Sequence, residues 1–247
     1  MRFHHNWVHN FTDDGLIVAG VPGTRNARIY QNVITQCLTA LSFSGNAVGQ
    51  IYIFRNLFDS RLPTLGTRPG NDGPLRQGRF HKEGTAEGPF DLFHNTCIVL
   101  DAGGIGTALE DIAAAGFGHY RSLVGADRRR AYNNIFVAVF SKPNEAKAIA
   151  FLPPSGFAGP TDGNTYHRFG SGPAPNFRVP TAGSASKPHQ ELSDYILAES
   201  PQEQSRQSTD PLFKSFDETG TPQPGDDLRL ESGSPAHDSA VTTSSHG

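Results

Sequence analysis

A polar stretch rich in Gly and Pro, residues 62–88, gathers side chains that could handle an anionic substrate. It holds the catalytic candidates Arg76, Arg79, His81, Lys82 and Glu83. Elimination beside a carboxylate needs a cation for that carboxylate, a base for the adjacent proton and an acid for the leaving oxygen. Arg76 or Arg79 would serve as the cation, and His81 or Lys82 as the base. The alternative is a surface loop whose charges are only solvated.

A second group of polar residues recurs along the chain, each directly before an Asn. Its members are His5, Gln31, Arg55 and His94. If these segments stack about 4.8 Å apart, their polar side chains line a shallow groove in which a sugar chain meets one of them per level. Asp13 and Asp14 follow the first segment and would flank the same groove, although an Asp-Asp-Gly bend is also ordinary turn chemistry. The sequence thus predicts a substrate-binding groove from these six residues.

An Asn-centred motif must position these side chains. The Asn residues stand at 6, 32, 56, 95 and 134, so the steps are 26, 24, 39 and 39 residues. Counting from the Asn, the third residue before it and the second after it are apolar in every copy, and the residue just before it is polar. Repetition at such a spacing is typical of a solenoid. The apolar columns predict a shared interior and the polar column an outer surface.

The repeated Asn itself has a structural explanation. A buried Asn at a bend can give its amide to the backbone and to the Asn of the next level, which satisfies groups that the corner leaves unpaired. The strands read as short, about three to six residues, and broken by Gly, Asn and Asp. The best helical pattern is Thr107–Ala115, and Ser193–Leu197 reads as a late strand.

These columns predict an all-β fold, a right-handed parallel β-helix with irregular C-terminal coils. A sandwich would show turn signals every 8 to 12 residues without aligned columns. We expect rungs over residues 1–168, with long excursions at 60–88 and 101–130. Irregular last coils and a closing segment should follow over 169–239, and a disordered tail over 240–247.

The rungs, together with two C-terminal segments, resemble the pectin-lyase-like superfamily of right-handed β-helices. The segments are Asp210–Phe213 and Asp226–Asp238, which are similar to the closing segment of bacterial members. The resemblance implies an extracellular or periplasmic bacterial protein with polysaccharide as its partner. Members include lyases, hydrolases, epimerases and non-enzymatic binders, so the fold alone does not choose an activity. The paired Asp motif of polygalacturonases and the calcium pattern of pectate lyases are not found here.

Composition excludes several other classes. The net charge of -3 and pI near 6.3 lack the basic footprint of a nucleic-acid-binding domain. The sequence contains no run of about 18 apolar residues, so no membrane-spanning helix is predicted. Met1 is followed at once by a rung pattern with no signal peptide, and we therefore expect upstream rungs that this chain lacks.

No metal or cofactor is predicted. The densest group of potential ligands is His4, His5 and His9 with Asp13 and Asp14, but strand alternation predicts opposite faces for His4 and His5. Calcium, which the family resemblance would suggest, has no recognisable ligand motif here. Cys37 and Cys97 fall in different columns, so we expect no disulfide, and Cys97 reads as a small inward-facing apolar residue.

Two functions from different classes remain open at this point. The first is an extracellular carbohydrate-interacting β-helix that acts as a polysaccharide lyase or glycoside hydrolase on acidic polysaccharide. The second is a non-catalytic glycan-binding or structural surface solenoid. Enzymatic activity, substrate identity and oligomeric state are not decided by the sequence.

Overall fold

A computed structural model of the chain describes residues 1–20, 26–45, 50–61, 79–82, 90–101, 129–140, 149–155, 161–170, 176–181, 186–199, 207–217 and 226–237. The predicted helical segment Thr107–Ala115, most of both excursions and the tail 240–247 lie outside these residues. Within them the fold is predominantly β.

The strands follow one another in short segments. They are β1 Arg2–His4, β2 Trp7–Gly20, β3 Ala27–Tyr30, β4 Val33–Gly45, β5 Ile51–Phe54, β6 Leu57–Ser60, β7 Arg79–Lys82, β8 Phe90–Phe93, β9 Thr96–Asp101, β10 Arg129–Tyr132, β11 Ile135–Phe140, β12 Ala150–Phe151, β13 Thr161–Asp162, β14 Thr165–Phe169, β15 Phe177–Pro180, β16 Ser186–His189, β17 Gln207–Ser208, β18 Phe213–Ser215 and β19 Asp227–Leu230. One α-helix, α1, spans Leu192–Glu199.

Two parallel sheets organise these strands. Sheet A has the order β1-β3-β5-β8-β10-β13, and sheet B has the order β17-β14-β11-β9-β6-β4-β2. One strand of sheet A, an Asn corner and one strand of sheet B form a rung, and we number the rungs 1 to 6 along the chain. The stacking of parallel strands is compatible with the predicted solenoid.

The two predicted apolar columns fill the interior between the sheets. In β3, Ala27 and Ile29 are buried while Arg28 is exposed, which is the alternation that a half-buried strand requires. The column three residues before the Asn is buried from Ile29 to Ala131, and the column two residues after it is buried from Ile34 to Tyr166. Cys97 lies in the second of these columns as a free, buried thiol, as predicted.

The corner residues form the predicted Asn ladder, which comprises Asn6, Asn32, Asn56, Asn95, Asn134 and Asn164. From Asn6 to Asn134, the backbone N–H and side-chain Nδ2 of each Asn donate to Oδ1 of the Asn in the following rung, at 2.9–3.1 Å. From Asn32 to Asn95, Nδ2 also donates to a carbonyl of its own rung and to one of the preceding rung. Each of these buried amides is therefore fully satisfied.

The residue before each Asn adopts a left-handed conformation. The φ angles are 57° at His5, 55° at Gln31, 55° at Arg55, 56° at His94 and 55° at Asn133, and the sixth copy has Gly163 at 68°. This conformation breaks the alternation of the strand. The prediction that His4 and His5 face opposite ways is therefore wrong, because their Nδ1 atoms lie 2.6 Å apart.

Some strands are longer than the predicted three to six residues. β2 has 14 residues and β4 has 13, and positive φ values at Asn10 and Gln36 turn each of them partway along. Their distal parts pair from Leu16↔Leu41 to Gly20↔Gly45, and β7 joins at Leu41↔His81. Part of the predicted excursion is thus a paired strand.

The region after residue 169 contains more regular structure than predicted. β15 and β16 pair antiparallel, and β15 also pairs with the earlier strand β12 to form a three-stranded sheet. The predicted strand over Ser193–Leu197 is wrong, because this segment lies within α1. Leu192 and Tyr195 are buried one turn apart, and the Asp194 carboxylate accepts the N–H of Glu191 at the helix start, 3.1 Å away. The apolar residues of this segment therefore follow the 3.6-residue period of a helix and not the two-residue period of a strand.

A C-terminal hairpin, β18 and β19, lies on the outer face of sheet B at rungs 4 to 6. Phe213, with Phe216, Leu228 and Leu230, packs on Ile98, Val137, Val139 and Phe169. Arg61 joins the hairpin to rung 3: its guanidinium contacts both Asp59 carboxylate oxygens, Asp226 Oδ2 at 2.7 Å and the Asp217 carbonyl at 2.8 Å. Arg61 is fully buried, and the carboxylates of Asp59 and Asp226 are largely shielded from water.

Candidate functional site

The candidate site lies on the outer face of sheet A at rungs 1 to 3 and on the adjoining corner. Three kinds of side chain are brought together there in register. They are basic residues, stacked aromatic rings and the polar corner column. Neighbouring parallel strands lie about 4.8 Å apart, so each column presents one side chain per rung at that spacing.

The polar corner column contains four predicted substrate-binding residues. His5, Gln31, Arg55 and His94 stand in consecutive rungs, and all four are exposed. Their left-handed backbone places them at the tip of the corner, and the N–H of Arg55 donates to the His94 carbonyl at 3.1 Å. The structure therefore aligns these four residues as one file.

A column of aromatic rings runs parallel to this file, two residues before each Asn. The ring centroids of His4 and Tyr30 are 4.6 Å apart, those of Tyr30 and Phe54 are 5.0 Å apart, and those of Phe54 and Phe93 are 4.9 Å apart. All three pairs are stacked, with interplanar angles of 15°, 4° and 5°. The rings are half-buried from Tyr30 to Phe93, so they form a rigid wall of ring edges.

Basic side chains border the aromatic column on both sides. Arg2 lies opposite Arg28 in the parallel register of β1 and β3, and Arg55 stands at the corner of rung 3. We call these three exposed residues the basic patch. Within the described ranges, no carboxylate pairs with any of them. Like charges opposite each other on adjacent strands destabilise a sheet, so this arrangement calls for an anion.

The basic patch ends where acidic residues enter the same column. Asp91 in rung 4 accepts two hydrogen bonds from Arg130 in rung 5, through Nε and through Nη2 at 2.8 Å. Tyr132 lies beside this pair. Burial raises its pKa to about 12; Asp91 and Asp162 add to this shift, and Arg130 opposes it. Rungs 4 to 6 are therefore locally neutralised, whereas rungs 1 to 3 carry unpaired positive charge.

The surroundings of three histidines lower their pKa values and so favour the neutral imidazole. Partial desolvation of its otherwise exposed ring lowers the pKa of His94, and Arg55 lowers it further. Burial also lowers the pKa of His167 and of His189, with Lys187 adding to the shift at His189. His189 also faces Glu199, Asp194 and Tyr195, and its Nε2 lies 3.9 Å from Glu199 Oε1.

A pH dependence of stability follows from these shifts. A histidine whose pKa is lower in the folded state binds fewer protons there than in the unfolded chain, so the free energy of unfolding falls as pH drops below about 6.5. We expect urea unfolding at about pH 5.5 to give a lower free energy than at about pH 7.5. His189→Phe and His94→Gln should each reduce the difference. An unchanged pH slope in both variants would contradict this assignment.

The predicted catalytic residues lie on a different part of the rung. Arg79, His81 and Lys82 belong to β7, which pairs with the distal part of β4 at Thr39, Leu41 and Ser42. Arg76 and Glu83 lie outside the described residues. The backbone thus does not bring β7 to the Asn corner, and the catalytic roles of these five residues stay predictions.

Asp13 and Asp14 also stand apart from the corner column. They follow Phe11 at a register irregularity of β2, where the chain enters its distal part. Since a strand advances about 3.3 Å per residue, the segment Trp7–Asn10 separates them from the Asn6 corner. Their backbone belongs to the next bend of the rung, not to the Asn corner. Whether their side chains reach the groove of His5 stays a prediction.

Other site chemistry is sparse in the described part of the chain. No group of three or more His, Cys, Asp or Glu side chains there is arranged to hold a metal ion. Burial raises the pKa of the Cys97 thiol well above its ordinary value, which keeps the thiol inert. No described helix combines the length and apolar character that crossing a membrane requires.

Comparison with known proteins gives no match: no family model, no curated protein and no solved structure is significantly similar to this chain. The resemblance to the pectin-lyase-like superfamily therefore stays a prediction. The parallel stacked strands are consistent with it.

Sequence reasoning missed the aromatic column and the basic patch. The signal was present, because the position two residues before the Asn is aromatic or His in five copies: His4, Tyr30, Phe54, Phe93 and Tyr132. Arg2 and Arg28 occupy the same position, four residues before their Asn. These residues went unnoticed because only the columns three and one residues before the Asn and two residues after it were considered.

Proposed function

We propose that this chain is a right-handed parallel β-helix of the pectin-lyase-like kind that binds acidic polysaccharide outside the cell. The observation that carries the proposal is the basic patch, in which Arg2 lies opposite Arg28 and no described carboxylate neutralises either. The repulsion between the two guanidinium groups costs stability in the free protein. An anionic ligand would relieve it.

The rest of the site fits a polymeric anion better than a single ion. Arg28 and Arg55 project from successive rungs, and His5, Gln31, Arg55 and His94 add one polar group per rung. A guanidinium can hold a carboxylate through two parallel hydrogen bonds. The file of binding groups therefore suits a chain that carries a carboxylate on successive sugars, as polyuronates do.

The test is calorimetric titration with oligogalacturonate, with an uncharged dextran oligosaccharide as the ligand control. We expect binding of the acidic oligosaccharide that weakens as salt is added. Arg28→Gln and Arg55→Gln should each weaken binding about tenfold or more, since a hydrogen bond to a charged group contributes about 1.5–3 kcal/mol. Gln31 already occupies the corner position of Arg55 in the neighbouring rung, so the second variant keeps the local backbone.

Arg229→Gln is the matched protein control, because Arg229 is exposed on the C-terminal hairpin far along the chain from the basic patch. It should bind like the unmodified protein. An equal loss in all three variants, or no binding of any polyuronate, would refute the proposal. Product analysis in the same samples addresses cleavage. Unsaturated products that vanish in the His81→Ala, Lys82→Ala double variant would assign a lyase, new reducing ends without unsaturation would assign a hydrolase, and the absence of both would assign a non-catalytic binder.

A further inference from the structure

We infer that Trp7 forms a stacking platform for a pyranose ring beside the corner file of His5, Gln31, Arg55 and His94, an inference that rests on the proposed glycan function. Trp7 is the only Trp of the chain, and it is 70% exposed. A single exposed apolar residue is ordinary, but neighbouring exposed apolar residues mark interaction sites, and Trp7 lies in register with the exposed Val33. Its neighbours decide which partner this is.

The position of Trp7 ties it to the predicted groove. His5, Asn6 and Trp7 are consecutive, so Cα of Trp7 lies at most about 7 Å from that of the corner residue His5. Val8 packs on the core, which leaves Trp7 and His9 on the outer face of sheet B. The indole thus adjoins the corner on the side opposite to the aromatic column.

The indole ring is also held in place. The rings of Trp7 and His9 stack with their centroids 4.5 Å apart and an interplanar angle of 26°. A ring supported on one face and open to solvent elsewhere loses little conformational freedom when a ligand covers it. His9 therefore acts as a positioning residue for the platform.

An apolar strip continues from Trp7 along the following rungs. Trp7 pairs in register with Val33, which pairs with Leu57; Val33 is 38% exposed, and Leu57 is half-buried. Among the described residues, the C-terminal hairpin packs its apolar side chains on the same outer face at rungs 4 to 6 and contacts rung 3 through Arg61. Trp7, Val33 and Leu57 thus form an apolar column directly beside a polar and basic corner. The next outward column is polar at His9 and Thr35, and the exposed Phe11 and Ile17 follow the turn at Asn10.

This combination fits an acidic sugar. A uronate carries its carboxylate on the ring edge and has an apolar C–H face, which can lie on an aromatic ring while the carboxylate reaches an arginine. An anionic membrane surface would also attract Arg and Trp, but it would favour a continuous apolar face over an apolar column that has polar side chains on both sides, the corner file on one and His9 and Thr35 on the other. The observations therefore favour the sugar.

The sole Trp makes the test direct, because all indole emission comes from Trp7. Adding oligogalacturonate to the full chain should shift the emission to shorter wavelength and protect it from acrylamide quenching. Trp7→Ala should weaken calorimetric binding about three- to tenfold, and Trp7→Phe should retain most of the affinity. Leu197→Ala is the matched control, since Leu197 is 90% exposed on α1 and should leave affinity unchanged.

The outcomes separate this inference from the proposed function. Unchanged emission and affinity in the Trp7 variants, with binding still lost in Arg28→Gln, would overturn the platform and leave the proposed function standing. No polyuronate binding, together with an emission shift on adding neutral oligosaccharide, would refute the proposed function and support Trp7 as a sugar platform. A shift seen only with vesicles of anionic phospholipid would overturn the inference.

Discussion

Arg61→Met is expected to lower the free energy of unfolding by about 3–5 kcal/mol, the usual cost of removing one partner from a buried ion cluster. Arg61 is fully buried, and its loss would leave the carboxylates of Asp59 and Asp226 without their cation. The variant would also lose the contact of the guanidinium with the Phe216 ring, 4.4 Å from the ring centroid. Urea unfolding followed by circular dichroism measures the change.

The chain supplies a matched control for this variant. Arg229 also pairs with the Asp two residues earlier, through Nε to Oδ1 and Nη2 to Oδ2 of Asp227, but this pair is exposed. Arg229→Met should lower the free energy of unfolding far less than Arg61→Met, because exposed ion pairs contribute little. Adding Asp59→Asn to Arg61→Met should recover part of the loss, since it removes one uncompensated charge. Equal costs for the two Met variants would show that burial does not set the strength of the Arg61 cluster.

Asn95→Ala is expected to be the second most damaging substitution, at about 2–4 kcal/mol, because an unsatisfied buried polar group costs about 1–3 kcal/mol and more than one is created. Asn95 Oδ1 accepts the backbone N–H of Asn56 at 3.0 Å and its Nδ2 at 2.9 Å, while Asn95 Nδ2 donates to the Ile53 carbonyl. Each of these buried groups would lose a partner. Equilibrium unfolding in urea is again the measurement.

Two further variants show that the ladder, rather than side-chain volume, carries this effect. Asn95→Asp keeps the acceptor for Asn56 but presents an oxygen to carbonyl oxygens, so it should destabilise the protein at least as much as Asn95→Ala. The second variant is Asn6→Ala. Asn6 belongs to the first rung, is only half-buried, and receives no hydrogen bond at its Oδ1 from any described group. Its cost should stay below about 1.5 kcal/mol. Similar losses for Asn6→Ala and Asn95→Ala would contradict a cooperative ladder.

The repeat made the central part of the fold predictable from sequence. Column reading identified Ile29, Ile53 and Leu92 as interior residues and the Asn file as a hydrogen-bonded ladder, and both predictions are confirmed. Parallel stacking makes this possible, because every rung puts residues of equal position into one column, where they meet the same neighbours. A local pattern then reports a long-range contact.

Prediction failed where backbone conformation departs from the strand. His4 and His5 were expected on opposite faces, yet the positive φ at His5 brings their rings together. The sequence carried a hint, since the sixth copy has Gly163 at this position and the fifth has Asn133, residue types that tolerate left-handed backbone. Ser193–Leu197 was misread because its few apolar residues suit a strand as well as a short helix.

The candidate site was predictable only in part. The corner file of His5, Gln31, Arg55 and His94 followed from the repeat, and the structure aligns it. The basic patch and the platform at Trp7 did not, because their significance depends on which charges remain unpaired and which faces remain uncovered. Those facts depend on residues far apart in sequence, such as Phe213 lying on rungs 4 to 6.

The sequence by itself determined the period of the repeat, its interior columns and its Asn corners, since these need only hydrophobicity and hydrogen-bonding capacity at fixed spacing. Only the tertiary structure decided that Arg61 is a buried cation joining the C-terminal hairpin to rung 3, and that Arg2 and Arg28 lie opposite each other with no carboxylate of the described residues paired to either. The physical reason is that burial and charge pairing are properties of neighbours in space. Residues 59 and 226 become neighbours only when the hairpin has docked.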